Sequence, residues 1–125
     1  MIKNLKDDVD DSVAGRTAGV EGRFARSALG AEQVGVSYFR YAANTRAQSG
    51  HRHKEQEEAY VIVGGSGRIK LDEEVHDVKP WDVIRVAPRV ARGFEAGPEG
   101  LEYIAIGGPK PEGGDGEMVE GFWGE

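Results

Sequence analysis

The sequence from residue 50 to residue 67 reads Gly50-His51-Arg52-His53-Lys54-Glu55-Gln56-Glu57-Glu58-Ala59-Tyr60-Val61-Ile62-Val63-Gly64-Gly65-Ser66-Gly67. Alternate side chains of a strand point to the same face, so His51 and His53 project side by side while Arg52 points away. Two imidazoles at this spacing can bind one metal ion. A glutamate on the next predicted strand would complete a set of two histidines and one carboxylate. Such a set suits iron, manganese, nickel or zinc.

Two adjacent glutamates compete for the carboxylate position. Glu58 shares the parity of Tyr60, which we assign to the interior, and Glu57 shares the parity of Val61. Because both sets of neighbours suit a strand, parity alone does not choose between Glu57 and Glu58.

Short runs of strand-forming residues continue on both sides of this stretch. The segments Gly64–Gly67 and Gly97–Gly100 look like turns between them. No segment has the apolar period of an amphipathic helix. This pattern predicts an all-β sandwich or barrel. We place its strands near residues 33–42, 51–54, 58–63, 67–71, 75–79, 83–87, 91–96 and 101–106.

Composition divides the chain into three parts. Residues 1–21 form an acidic lead-in that we expect to be solvated, residues 22–107 form the barrel domain, and residues 108–125 form a tail rich in glycine and proline. We expect the tail to dock onto the barrel through its apolar side chains, which are Met118, Val119, Phe122 and Trp123.

Bulk composition excludes several classes of function. A length of 125 residues fits one domain, and a net charge of -6 argues against a nucleic-acid or anionic-membrane partner. The absence of cysteine excludes disulfides, thiolate nucleophiles and cysteine-ligated zinc. The N-terminal residues lack the apolar segment of a signal peptide, so we expect a cytoplasmic protein.

The run from Gly50 to Gly67 resembles the first motif of the cupin superfamily, which is His-x-His, four residues, Glu, six residues, Gly. This pattern selects Glu58 over Glu57. The resemblance extends over residues 33–107, and its closest likeness is to small single-domain cupins. It implies a cupin-type jelly-roll β-barrel with a pocket in its mouth, and a homodimer.

The second motif of that family departs from the pattern at two positions. Trp81 stands where a turn glycine is usual, and Arg92 stands where the family has a histidine as its fourth metal ligand. A guanidinium keeps its proton and has no lone pair for a metal. The resemblance therefore implies a degenerate site with three ligands: His51, His53 and Glu58.

The position of Arg92 leaves two alternatives open. Arg92 shares the parity of Phe94, so we expect its side chain to point inward. It either forms an ion pair with Glu58 in place of a metal, or it contacts an anionic ligand next to a bound ion. In the second alternative, Tyr60 and Phe94 join Arg92 in contacting the ligand.

The leading hypothesis is a small-molecule-binding cupin whose two-histidine, one-glutamate site holds a divalent metal. One alternative is a metal-dependent oxygenase or isomerase that acts on a small anionic substrate. Another is a metal-free binding or structural module with an Arg92–Glu58 ion pair. Whether the chain is an enzyme stays open. We interpret His76 as an ordinary strand residue and Tyr38 and Tyr103 as core residues with satisfied hydroxyls.

Overall fold

The structure, a computed structural model, describes residues 1–124. Within them, no helix is long and apolar enough to cross a membrane. Strands make up most of the regular structure, which confirms the all-β prediction. The elements are β1 (Val20–Phe24), α1 (Arg26–Leu29), β2 (Gly35–Tyr41), β3 (Gly50–His53), β4 (Glu58–Leu71), β5 (Glu74–Val78), β6 (Val83–Val86), β7 (Arg92–Gly107) and β8 (Gly116–Val119).

The strands form one antiparallel sheet that curls on itself. The long strand β7 is central, because it pairs with β2, β3 and β4. Strand β4 also pairs with β5 and β6, while β1 extends the sheet at β2 and β8 extends it at β3. This curled sheet is the jelly-roll barrel that the sequence predicts.

Aromatic side chains from β4 and β7 fill the centre of the barrel. Because side chains alternate along a strand, Tyr60 and Ile62 of β4 share a face and both are buried. The Tyr103 ring stacks on the Phe94 ring with centroids 4.1 Å apart, and Tyr60 meets Phe94 edge to face at 5.1 Å. Truncating a fully buried ring of this kind to alanine typically destabilises a protein by about 3–5 kcal/mol.

Two glycine-rich segments expected to be turns are parts of long strands, so that expectation is wrong. Gly64–Gly67 lies within β4 and Gly97–Gly100 within β7, and the ladder between the strands shifts register there. Gly65 has φ of 73°, and a Cβ on it would lie 2.0 Å from the carbonyl oxygen of Gly100. Glycine is required because two backbones approach closely at a bulge, which bends both strands.

The lead-in packs against the barrel instead of being wholly solvated as expected. Val9 is buried, and Val13 lines the barrel mouth. The Oδ1 atom of Asp11 accepts hydrogen bonds from the backbone N–H groups of Val13, Ala14 and Gly22, at 2.9, 3.0 and 3.1 Å. These bonds join the lead-in to β1.

The tail docks onto the barrel, as the sequence predicts, and also contributes strand β8. Phe122 is buried, and Trp123 Nε1 donates to the backbone oxygen of Ala47 at 3.0 Å. Val119 is half-buried, whereas Met118 is 69% exposed and contributes little to docking. The tail therefore brings the segment just before β8 close to β3, which carries the two histidines.

Candidate metal centre

Three potential metal ligands meet where β3 and the start of β4 come together. His53 Nε2 lies 3.2 Å from Oε1 of Glu58, and His51 Nε2 lies 3.6 Å from the same oxygen. One donor atom of each residue lies within 4.8 Å of the other two. Ligand atoms bound tetrahedrally to zinc at its usual distances are about 3.4 Å apart, so the three donors fit one ion.

The carboxylate of Glu58 is ionised and oriented. Burial alone would raise the pKa of Glu58, but the adjacent His51 imidazole, the hydrogen bond from Tyr60 and the proximity of His53 outweigh it and lower the pKa to about 2. The Tyr60 hydroxyl donates to Oε1 of Glu58 at 2.6 Å. Burial and the adjacent Glu58 charge raise the pKa of Tyr60 well above its usual value, so the phenol stays protonated.

A carboxylate from the tail orients one of the histidines. Asp115 Oδ1 lies 2.9 Å from His53 Nδ1, and Asp115 Oδ2 accepts from the backbone N–H groups of Glu55 and Gln56 at 2.7 and 2.9 Å. Burial would raise the pKa of Asp115, but these bonds outweigh it and lower it. An ionised Asp115 favours the proton on Nδ1, which leaves the Nε2 lone pair of His53 for a metal.

Asp115 is the functional candidate that sequence reasoning missed. It lies in the glycine-rich segment Gly113–Gly116, which contains no metal-binding pattern, and it is 62 positions from His53. Only the docking of the tail brings the two together. A histidine that binds a metal usually donates its other ring N–H to a partner such as a carboxylate. That rule indicates that a partner exists elsewhere in the chain, but it does not say which residue it is.

The three ligands line a cavity of about 710 Å³ in the barrel mouth. This volume lies within the range of small-molecule pockets, which is about 300–1,000 Å³. Part of its wall is aromatic, where Phe39 stacks on Tyr103 with centroids 5.1 Å apart. Another part is polar and includes Arg26, Gln56 and Lys110.

Arg92 occupies the predicted place but does not form the ion pair with Glu58, which was one of the two alternatives left open by the sequence. Its backbone is paired with that of His51, and its side chain is fully buried. Nη2 donates to the backbone oxygen of Ala87 at 3.2 Å, while Nε and Nη1 have no hydrogen-bond partner. Within residues 1–124, no carboxylate lies within ion-pair distance of this guanidinium. The alternative of an Arg92–Glu58 ion pair is therefore wrong. Glu58 accepts a hydrogen bond from Tyr60, and the Arg92 guanidinium points towards the backbone oxygen of Ala87.

The remaining predicted residues fall on both sides of the cavity wall. Tyr60 lines the cavity, whereas Arg92 and Phe94 lie behind the lining, and Phe94 is only 2% exposed. Their contact with a ligand stays a prediction. His76 is exposed, with Nε2 3.5 Å from a carboxylate oxygen of Glu74, and takes no part in the site.

Comparison with known proteins identifies the fold. No protein-family model matches the sequence, and no curated protein matches it. A cupin protein from Bacteroides fragilis has a similar structure, with 23% identity and a TM-score of 0.68. That match covers 88% of each chain.

Two further solved structures match over most of this chain. The polyketide cyclase RemF from Streptomyces resistomycificus is 19% identical with a TM-score of 0.76, and the match covers 96% of this chain and 85% of that one. A sugar phosphate isomerase of the cupin superfamily from Silicibacter pomeroyi is 20% identical with a TM-score of 0.72, over 88% and 77% of the chains. At these identities the likeness establishes the fold and not the activity. This chain therefore has the fold of the cupin superfamily.

Proposed function

We propose that this chain is a small-molecule-binding cupin that holds one divalent metal ion on His51, His53 and Glu58. One observation carries the proposal. The Nε2 atoms of both histidines lie within 3.6 Å of a single ionised carboxylate oxygen, at the wall of a cavity large enough for a small molecule.

The donor set narrows the choice of ion. Two imidazole nitrogens and one carboxylate oxygen suit iron, manganese, nickel or zinc better than magnesium or calcium, which prefer oxygen ligands. Three protein ligands leave coordination positions open. A bound ion would act there as a Lewis acid for an oxygen of the small molecule. Asp115 supports the centre by fixing the orientation of His53.

A second candidate is a metal-dependent enzyme of the isomerase or oxygenase type that acts on a small anionic substrate. Tyr60 favours it, because this protonated phenol lines the cavity and its oxygen lies 2.6 Å from Glu58. Because its one O–H is already donated to Glu58, the phenol oxygen offers a substrate hydroxyl a hydrogen-bond acceptor beside the proposed ion. The similar isomerase structure shares the fold and adds only an analogy.

A metal-free module has less support. That alternative relied on Arg92 neutralising Glu58, and the guanidinium bonds to Ala87 instead.

Two further expectations stay predictions, namely a homodimer and a cytoplasmic location. Analytical ultracentrifugation at micromolar concentration checks the first, and a monomer would contradict it.

Elemental analysis of untagged protein purified without chelator tests the metal centre. We expect close to one divalent ion per chain, and loss of that ion in the His51→Ala/His53→Ala double variant. His76→Ala is the matched control, because His76 is exposed and outside the site. If the wild-type protein binds none of the four ions even after reconstitution, the proposal is wrong.

A further inference from the structure

Two cationic side chains line the same cavity without a carboxylate partner. They are Arg26, the first residue of α1, and Lys110 in the segment before β8. In the part of the chain that the structure describes, neither takes part in an ion pair. Arg26 bonds only to backbone oxygens, which leaves its charge uncompensated inside the cavity mouth.

The guanidinium of Arg26 rests on the backbone of β2 at a glycine. A Cβ on Gly35 would lie 2.6 Å from Arg26 Nη2 and 2.9 Å from both Nε and Cζ, so any larger residue would displace the group. Nη2 donates to the Gly108 oxygen at 2.9 Å, and Nη1 lies 3.5 Å from the oxygen of Glu32. The position is therefore fixed by packing while several N–H donors remain free.

Gln56 places a second donor beside Arg26. Its side chain is 8% exposed, and its Nε2 donates to the same Gly108 oxygen at 3.2 Å. Its backbone N–H binds Asp115, which in turn bonds to His53. We call Arg26 and Gln56 the anion cluster. It is connected to the metal centre by two successive hydrogen bonds.

The charges of the cavity favour an anionic ligand. The two carboxylates in the lining belong to Glu58 and Asp115, and both are already engaged at the metal centre. Glu58 bonds to Tyr60, and Asp115 bonds to His53 and to two backbone N–H groups, so neither carboxylate pairs with Arg26 or Lys110, and these two charges are left for the ligand to balance. A guanidinium fork presents two parallel N–H donors, which match the two oxygens of a planar carboxylate.

The rest of the cavity wall favours a flat apolar body. Five of its residues are aromatic. The Tyr103 ring is buried between the stacked rings of Phe39 and Phe94 and also contacts Tyr41 and Tyr60. The aromatic surface open to a ligand therefore comes mainly from the more exposed rings of Phe24 and Phe39. Planar ligands pack well on such a wall. The aromatic residues lining the cavity are Phe24, Phe39, Tyr41, Tyr60 and Tyr103.

We infer that the cavity binds a small aromatic carboxylate, whose carboxylate pairs with Arg26 and Gln56 and whose ring lies against the aromatic wall. The inference rests on the small-molecule-binding function proposed above. It assigns the anion contact to Arg26, in place of the Arg92 contact expected from the sequence. Lys110 is exposed and adds only a weaker, salt-sensitive attraction.

Isothermal titration calorimetry with a matched pair of probes tests the inference. 2-Naphthoate and 2-naphthamide have the same ring system and differ in charge. We expect zinc-reconstituted wild-type protein to prefer the naphthoate. Arg26→Gln should weaken naphthoate binding roughly ten- to a hundredfold, the range for a hydrogen bond to a charged group, and should change naphthamide binding little. Arg89→Gln is the control, because Arg89 is an exposed cation outside the lining.

A second variant tests the same contact if Arg26→Gln does not fold. Gly35→Ala retains every charge but its Cβ would displace the Arg26 guanidinium, so it should also reduce the preference for naphthoate. The inference is overturned if wild-type protein binds neither probe at millimolar concentration, if it does not prefer the naphthoate, or if the preference survives both variants.

Metal content measured on the same samples separates the two proposals. An Arg26-dependent preference in protein that holds no metal would refute the metal centre and support the anion cluster. If the protein binds metal but its preference for naphthoate does not depend on Arg26, the metal centre is supported and the anion cluster is refuted.

Discussion

The Nδ1 atom of His53 lies 2.9 Å from Oδ1 of Asp115, and this bond joins strand β3 to the segment just before β8. The tail is therefore part of the candidate metal centre as well as a cover for the barrel. Since Asp115 also accepts two backbone N–H groups, its carboxylate is fixed before any ion binds. The imidazole of His53 is thereby held with Nε2 directed at Glu58.

Replacing Asp115 with asparagine should weaken metal binding without unfolding the barrel. The amide removes the negative charge that holds the proton on Nδ1 of His53, and loss of such a partner usually lowers metal affinity about 10–100-fold. Competition against a chromophoric chelator measures the change. Glu117→Gln is the matched control, because Glu117 lies two residues further on and pairs with Arg52 at the surface. Equal metal affinities for the two variants would show that Asp115 does not orient His53.

Replacing Arg92 with methionine should leave the free energy of unfolding of metal-free protein unchanged or raise it by about 1 kcal/mol. The guanidinium is fully buried with two unsatisfied nitrogens, and each buried donor without a partner is typically destabilising by about 1–3 kcal/mol. Methionine fills a similar volume without a charge. Urea denaturation measures the difference, with Arg92→Lys as the charge-retaining control. A loss above about 2 kcal/mol would mean that Arg92 has a partner that stabilises the fold.

The local part of the site could be predicted from the sequence. His51 and His53 share a face because strand side chains alternate, and Glu58 follows from the family spacing. The position of Arg92 opposite His51 also agrees with the predicted inward orientation. What its guanidinium bonds to could not be predicted, because that depends on the path of the Ala87 backbone.

The contacts between residues that lie far apart in the sequence could not be predicted. Glycine runs indicate turns, but Gly65 lies in a bulge. Glycine is required there only because the Gly100 backbone packs against it, and the sequence does not show that contact. Asp115 and Arg26 lie far in sequence from the histidines, and no local pattern marks either as a site residue. Their roles depend on how the tail and α1 pack onto the barrel.

Replacing Trp81 with glycine should raise the free energy of unfolding by about 1 kcal/mol. Trp81 has φ of 75° and its side chain is 76% exposed, so the substitution relieves backbone strain and removes little buried area. A left-handed conformation is unfavourable for an L-residue by roughly 1–2 kcal/mol. Part of the gain is offset by the freedom of glycine in the unfolded chain. Thermal and urea denaturation measure the change.

Trp81→Ala is the control for that comparison. Alanine removes the indole ring but keeps the Cβ that causes the strain, so its stability should stay close to that of the wild type. If alanine and glycine stabilise the protein equally, exposure of the ring and not the backbone conformation accounts for the effect.

The bonds of Asp11 should make the stability of the protein depend on pH. Hydrogen bonds from the backbone N–H groups of Val13 and Gly22 lower the pKa of Asp11 in the folded protein. Its contribution is therefore fully present above the pKa of the unfolded chain, about 3.9, and is lost as the pH falls through the lower folded value. Asp11→Asn should accordingly lower the thermal midpoint at pH 7, and the difference from wild type should shrink below about pH 4. A difference that stays constant with pH would contradict the assignment.

Anomalous diffraction from crystals grown with manganese or zinc is the most direct test of the three-residue metal site. We expect one dominant peak per chain in the barrel mouth, about 2.0–2.2 Å from a nitrogen of His51, a nitrogen of His53 and an oxygen of Glu58. Crystals that contain the metal but show their peak on other residues, or show none in the barrel mouth, would contradict it.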